Sequence, residues 1–307
     1  MPPRVVSLLP SATEIVGALG VRPVATSHEC DYPPSVAEVP SVVDSRIDAD
    51  ASSAEIDSQV QASADAGGVY RIDREALAAA DPDVVVSQGI CDVCAVDTVV
   101  VEAAIEELGL DCELLTTDPH TVEDVLSDVE AIGAAIGREE RASELLADLR
   151  GRIDRVETAA AERSERPAVA VLDWLEPPMV AGHWVPELVE LAGGEYGLAG
   201  VGEASTPREW AAIREYDPDV LVAAPCGFGL EQTAENRSDL LDREGWTDIR
   251  AVRTGRVHAV DGHHLMNRPG PRLVESLETL AALLHPEAFD APEPWMARPF
   301  GAGRESV

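Results

Sequence analysis

The amino-acid sequence predicts an α/β protein of two lobes joined by a single long connecting helix, with a ligand cleft between the lobes. Two patterns lead there. In residues 1–120 and again in 166–286, short apolar runs alternate with amphipathic stretches, the order expected of strands and helices laid against a mostly parallel sheet. Between them, residues 121–165 keep an almost unbroken helical periodicity, carried by Val122, Val125, Leu126, Val129, Ile132 and their successors, with no proline to stop it. One phrase also recurs: Asp81-Pro-Asp-Val-Val-Val and Asp217-Pro-Asp-Val-Leu-Val each set a helix end, a proline and a buried strand in the same order.

Taken in order, a first strand at 5–9 runs into a helix opened by Ser11-Ala-Thr-Glu14, a capping-box pattern. Strands at 23–27 and 39–43 precede a helix from Ser53 to Ala66 and a short helix at 73–80. A strand at 83–88 follows Asp81-Pro82, then a helix over 96–108 and a strand over 110–116. After the connecting helix, Glu165-Arg-Pro167 restarts the alternation: strand 168–172, helices near 186–192 and 208–215, strand 219–224, helix 232–241, strand 256–260 and helix 271–284. Residues 287–307, rich in proline and glycine, read as a surface-hugging or disordered tail.

Composition limits the partners. The formal charge is −34, from 57 acidic against 23 basic residues, every basic one an arginine. Such a surface repels nucleic acid and anionic membranes. Because the acidic residues are scattered over nearly all segments, they read as solubility in very high salt, where the short Debye length screens self-repulsion. Val5-Val-Ser-Leu-Leu is too short for a secretory signal and is ended by Pro10, and no stretch is apolar for long enough to cross a membrane. The chain as written is expected in the cytoplasm, and outside it if a leader had been removed.

Four cysteines fall just beyond predicted strands: Cys30, Cys91, Cys94 and Cys226. In open parallel α/β sheets ligands bind beyond the carboxyl ends of the strands, so these thiols stand where a site belongs. Four thiolates can hold zinc or an iron-sulfur cluster, and Cys91-X-X-Cys94 has a spacing common to both. The same pair suits thiol-disulfide chemistry, while plain thiols lining a small-molecule cleft remain the simplest reading. Cys112, among Leu110, Leu114 and Leu115, reads as a small buried hydrophobe. Aromatic residues are few, and Trp174, Trp184 and Phe228, the last preceded by Gly227, gather near strand ends of the second half. Flat rings of this kind suit a corrin or porphyrin. Trp210 and Trp246 read as core. His183, and His264 after the strand at 256–260, are candidate ligands, and Arg268 a candidate for an anionic group. Enzyme templates fit poorly, since there is no Gly-X-Ser-X-Gly elbow and no lysine-bearing phosphate loop.

Arg4-Val-Val-Ser-Leu-Leu-Pro-Ser-Ala-Thr-Glu14, Ser27-His-Glu-Cys-Asp-Tyr-Pro33, Cys91-Asp-Val-Cys94, Ala181-Gly-His-Trp184, Pro225-Cys-Gly-Phe228 and Arg268-Pro-Gly-Pro-Arg272 carry a resemblance that runs from about residue 4 to 286. The chain resembles the solute-binding proteins that serve ABC importers of vitamin B12, haem and iron-siderophores, most of all their cobalamin-binding branch. The resemblance implies two Rossmann-like lobes, cobalamin or a related metal chelate as ligand, and an ABC permease as partner. Ser11, His28, Glu29 and Gln88 would then approach the ligand from the first lobe, and Trp174, His183, Trp184, Gly227, Phe228, His264 and Arg268 from the second. The alternative is a cytoplasmic metalloprotein or redox enzyme that holds zinc or an iron-sulfur cluster with Cys30, Cys91, Cys94 and Cys226.

Overall fold

The computed structural model describes residues 3–64, 68–89, 96 and 98–300. The chain divides into two compact α/β units, one of Met1–Asp48, Ser58–Pro119 and Glu123–Leu149, the other of Ala49–Asp57, His120–Val122 and Arg150–Val307.

The first sheet orders its strands β4-β3-β2-β1-β5-β6, with β1 Val5–Ser7, β2 Ala25–Ser27, β3 Ser41–Ser45, β4 Tyr70–Ile72, β5 Val84–Gln88 and β6 Glu113–Thr117. All neighbours pair parallel except β3 and β4. Its helices are α1 Pro10–Ala18, α2 Ser53–Ala64, α3 Arg74–Ala80 and α4 Thr98–Leu108. Strand β5 is buried along its whole length, which is why it reads as an uninterrupted apolar run. Val6, Val42, Val85, Leu77 and Val101 form the centre of one core cluster, and Cys112 packs half-buried against it. Burial first, and the charge of Asp111 second, push the Cys112 thiol up.

The capping box does not form. Pro10 takes the first helical position, so Leu9 is the N-cap and makes no side-chain cap, leaving Ser11 inside the first turn. The connecting segment is also interrupted, forming α5 Val122–Ala135 and α6 Glu139–Ala161. Gly137 adopts φ +64 between them, a conformation that suits glycine at a helix end.

The second sheet is ordered β12-β11-β10-β7-β8-β9, with β7 Val169–Trp174, β8 Met179–Val180, β9 Thr206–Pro207, β10 Val220–Ala223, β11 Val257–Val260 and β12 Ala297–Pro299. Here β7, β10 and β11 are parallel and the outer strands antiparallel. Its helices are α7 Val185–Leu191, α8 Trp210–Tyr216, α9 Leu230–Glu235, α10 Ser238–Leu241, α11 Arg250–Arg253 and α12 Leu273–Leu284. Within the tail, Ala297–Pro299 form β12, paired antiparallel with β11.

The repeated Asp-Pro-Asp phrase builds the same latch twice. Asp81 and Asp217 close α3 and α8 in the left-handed conformation, at φ 44 and 45. Two residues on, Asp83 accepts the Arg4 N–H at 2.7 Å and Asp219 accepts the Ala168 N–H at 2.9 Å. Each carboxylate thereby ties its own strand to the start of the first strand of its sheet. For Asp219, burial alone would raise the carboxyl, but the Ala168 N–H and the hydrogen bond and charge of Arg250 outweigh it and lower it below 3.8. We expect Asp219→Ala to lose about 1 kcal/mol of stability at neutral pH. That loss shrinks as pH falls through the depressed carboxyl value, where the wild type loses the same bond. Urea unfolding of both proteins at pH 7 and pH 3 measures it.

Candidate functional site

In the first unit the predicted residues sit beyond the carboxyl ends of β1, β2 and β5. Ser11 is buried in α1 at 4% exposure, and Gln88, the last residue of β5, at 7%. His28 and Glu29 follow β2. The His28 Nε2 lies 3.5 Å from Glu29 Oε1, its Nδ1 lies 3.3 Å from Ser27 Oγ, and its ring stands 5.7 Å from that of Tyr70. Thr13, which sequence reasoning passed over, joins this set: its hydroxyl lies 2.8 Å from Ser7 Oγ and 3.0 Å from Cys30 Sγ. The Cys30 thiol is thus a buried partner within its own unit. Cys91 and Cys94 lie outside the described residues, and Cys226 belongs to the second unit.

In the second unit three strands end at one cluster. Trp174 closes β7, its indole N–H donating to Glu176 O at 3.1 Å, and its ring stands 5.1 Å from Phe228. The loop after β10 is set by the Cys226 N–H on Asp173 O at 2.9 Å, and Gly227 turns it at φ +79, a conformation open to glycine. Its far end is held from the loop after β11, where the Gly262 and His263 N–H groups both reach Phe228 O, at 3.0 and 3.1 Å.

That second loop is a π-helical turn, Gly262–Met266, capped by Asp261. The Asp261 carboxylate, 5% exposed, accepts the His264 backbone N–H at 2.6 Å and lies 3.1 and 3.2 Å from His264 Nδ1. An ionised carboxylate only accepts, so this contact places the His264 proton on Nδ1. Arg268 is buried, and its Nη2 lies 2.9 Å from His263 Nε2. A guanidinium only donates, so His263 accepts there. Asp261 was not foreseen; its signal was the Asp-X-X-His spacing directly after a strand.

The three rings that gather near these strand ends do not form one open face. Phe228 is 2% exposed beneath Trp174, and Trp184 is 6% exposed because its indole N–H needs an acceptor and finds Met266 O at 2.9 Å. Trp174 is half-buried. His183 precedes Trp184 and faces His120 instead. Of the two tryptophans read as core, Trp246 is buried, while Trp210 is half-buried and stacks on it at 6.0 Å under the Arg243 guanidinium.

Among the described residues no helix is long and apolar enough to cross a membrane. Comparison with known proteins gives a consistent picture. The chain is 25% identical over 296 residues to YvrC, an uncharacterized ABC transporter substrate-binding lipoprotein of Bacillus subtilis, covering 94% of this chain and 82% of that one. It is 24% identical over 286 residues to the vitamin B12-binding protein of Vibrio cholerae, covering 92% and 88%. A periplasmic heme-binding protein from Pseudomonas aeruginosa shares the fold at a TM-score of 0.72 and 23% identity, over 96% of this chain and 97% of the other. The periplasmic binding protein family model matches residues 5–263, the span that holds both sheets' parallel strands, and the chain belongs to that family.

Proposed function

We propose that this protein is a solute-binding protein that captures a metal chelate of the corrinoid or porphyrin class, cobalamin foremost, and delivers it to an ABC permease outside the cytoplasm. The observation that carries the reading is the strand-end cluster of the second unit. Trp174 backed by Phe228 offers an apolar ring face, Arg268 a buried cation for a propionate or phosphate, and His264 an imidazole oriented by Asp261. Ser11, His28, Glu29 and Gln88 supply the polar side chains of the first unit, and His183, Trp184 and Gly227 shape the second. The similarity to a vitamin B12-binding protein and to an importer lipoprotein supports both ligand class and partner.

Tryptophan fluorescence during titration with cyanocobalamin and with hemin tests this. One chelate is expected to quench saturably at one per chain, and Trp174→Ala to weaken it by about tenfold or more, as loss of an aromatic anchor does. Quenching by neither chelate overturns the reading. Cys30→Ser with Cys226→Ser is expected to leave affinity unchanged; a loss there would favour the thiol-centred alternative, with zinc or an iron-sulfur cluster as the bound group.

A further inference from the structure

The second unit also brings together His120, to which the chelate reading gives no role, and His183. His120 Nδ1 and His183 Nδ1 lie 3.4 Å apart, with ring centroids 5.4 Å apart and planes tilted by 41°. A nitrogen-to-oxygen or comparable hydrogen bond prefers about 2.7–3.2 Å, so the contact is looser than a hydrogen bond would make it. It matches another geometry. Two nitrogens each about 2.0–2.1 Å from a tetrahedral ion stand about 3.3–3.4 Å apart.

Both imidazoles are half-buried and held by separate clamps. His183 sits at φ +52, a left-handed conformation rare for a residue with a side chain. It is pinned there by its N–H on Glu203 O at 2.5 Å and by the Gly202 N–H on its own carbonyl at 2.9 Å. The residue before it must be glycine, because a Cβ on Gly182 would collide with Glu203 O and lie 2.6 Å from Ala204 C. One residue earlier, the Tyr196 hydroxyl donates to Ala181 O at 2.7 Å. On the other side, the Val122 N–H donates to Glu187 Oε2 at 2.7 Å, which ties the segment bearing His120 to α7, the helix that follows His183. The loop at Gly202 also packs beside His120: a Cβ there would stand 3.9 Å from His120 Cβ. Fixed backbones and a preset nitrogen separation are what a pre-organised metal site requires.

We propose that His120 and His183 form a two-imidazole binding site for a divalent transition ion of the zinc class, with water completing the tetrahedron. Imidazole suits zinc, cobalt, nickel and copper and leaves magnesium and calcium to carboxylates. The ion would staple residues 120–122 to the start of α7, so binding acts on the segment at which the chain crosses between its two units.

The full-length chain, stripped with a chelator and held in millimolar magnesium to occupy surface carboxylates, is titrated calorimetrically with zinc. One site per chain is expected, with a rise in thermal midpoint on binding. His120→Ala and His183→Asn should each weaken it by about tenfold or more; asparagine is chosen because it tolerates positive φ. Cobalt in place of zinc should give tetrahedral d–d bands without thiolate charge transfer. Zinc affinity unchanged in both variants, a thiolate signature with cobalt, or no binding by the wild type would each overturn the proposal.

Discussion

Gly262→Ala is expected to be the most damaging single-methyl substitution at the strand-end cluster. A Cβ at this position would collide with Pro225 O and lie 2.8 Å from both the carbon and the oxygen of the Ala224 carbonyl. Neither neighbour can retreat. Ala224 is tied to Leu172 O through its N–H at 2.8 Å and to Asn267 Nδ2 through its oxygen at 3.0 Å, and Pro225 O accepts the Phe228 N–H at 3.0 Å. Overpacking against fixed backbone costs about 3 kcal/mol, which for a chain of this length lowers the thermal midpoint by roughly 5 °C. The damage falls on the two loops carrying Phe228, His263 and His264, so chelate affinity should fall with stability. Gly229→Ala is the control: its nearest neighbour is Asp261 Oδ2 at 3.9 Å and the backbone is unstrained, so beyond the small cost of alanine at the N-cap of α9 its melt should shift far less. Equal midpoints for the two variants in a thermal melt would contradict the steric argument.

Asp128→Asn is expected to stabilise the protein above neutral pH. The Asp128 carboxyl, half-buried on α5, is pushed up to about 7, by burial first and then by the charges of Asp124 and Asp118. The unfolded chain releases this proton near 3.8, whereas the folded chain keeps it to about 7, so stability declines as pH rises between those values. Asparagine has the shape of the protonated acid without its titration. At pH 8 the variant should gain about 2 kcal/mol, after discounting for the solvent that still reaches the group. Near pH 3 the two proteins should unfold alike. Concentrated salt should trim the part due to Asp124 and Asp118 and leave the part due to burial. Urea midpoints across pH 3–8 at low and high salt measure both components.

Much of the fold was legible because parallel strands covered on both faces are written as plain apolar runs; Val84–Gln88 and Val220–Ala223 could hardly be read otherwise. The strands that escaped notice, Tyr70–Ile72, Met179–Val180, Thr206–Pro207 and Ala297–Pro299, are two or three residues long and carry no periodicity. They are strands only because a neighbour offers backbone partners, and a partner is not visible locally. The connecting segment reads as an almost unbroken helix, with Gly137 able to allow a bend, because α5 and α6 keep their apolar spacing through the break. What parts them is Gly137 together with Gly133, where a Cβ would lie 2.5 Å from that of Ala142. Position beyond a strand end could be read, and Trp174, Phe228 and His264 do stand at or after the ends of β7, β10 and β11. Orientation could not. That Trp184 turns inward to Met266 O and that His120 meets His183 depend on residues 82 and 63 positions apart, which only the folded chain brings together.

The two edges of the second sheet bear on how the protein survives at high concentration. The outermost strands are β9 and β12, and both end in an exposed proline, Pro207 and Pro299. Proline has no N–H to offer an incoming strand, so each edge is a poor template for sheet-to-sheet aggregation. In dilute buffer a charge of −34 would keep copies apart without such help. In concentrated salt that repulsion is silenced beyond a few ångströms, and colloidal stability then falls to edge chemistry that no ion can screen.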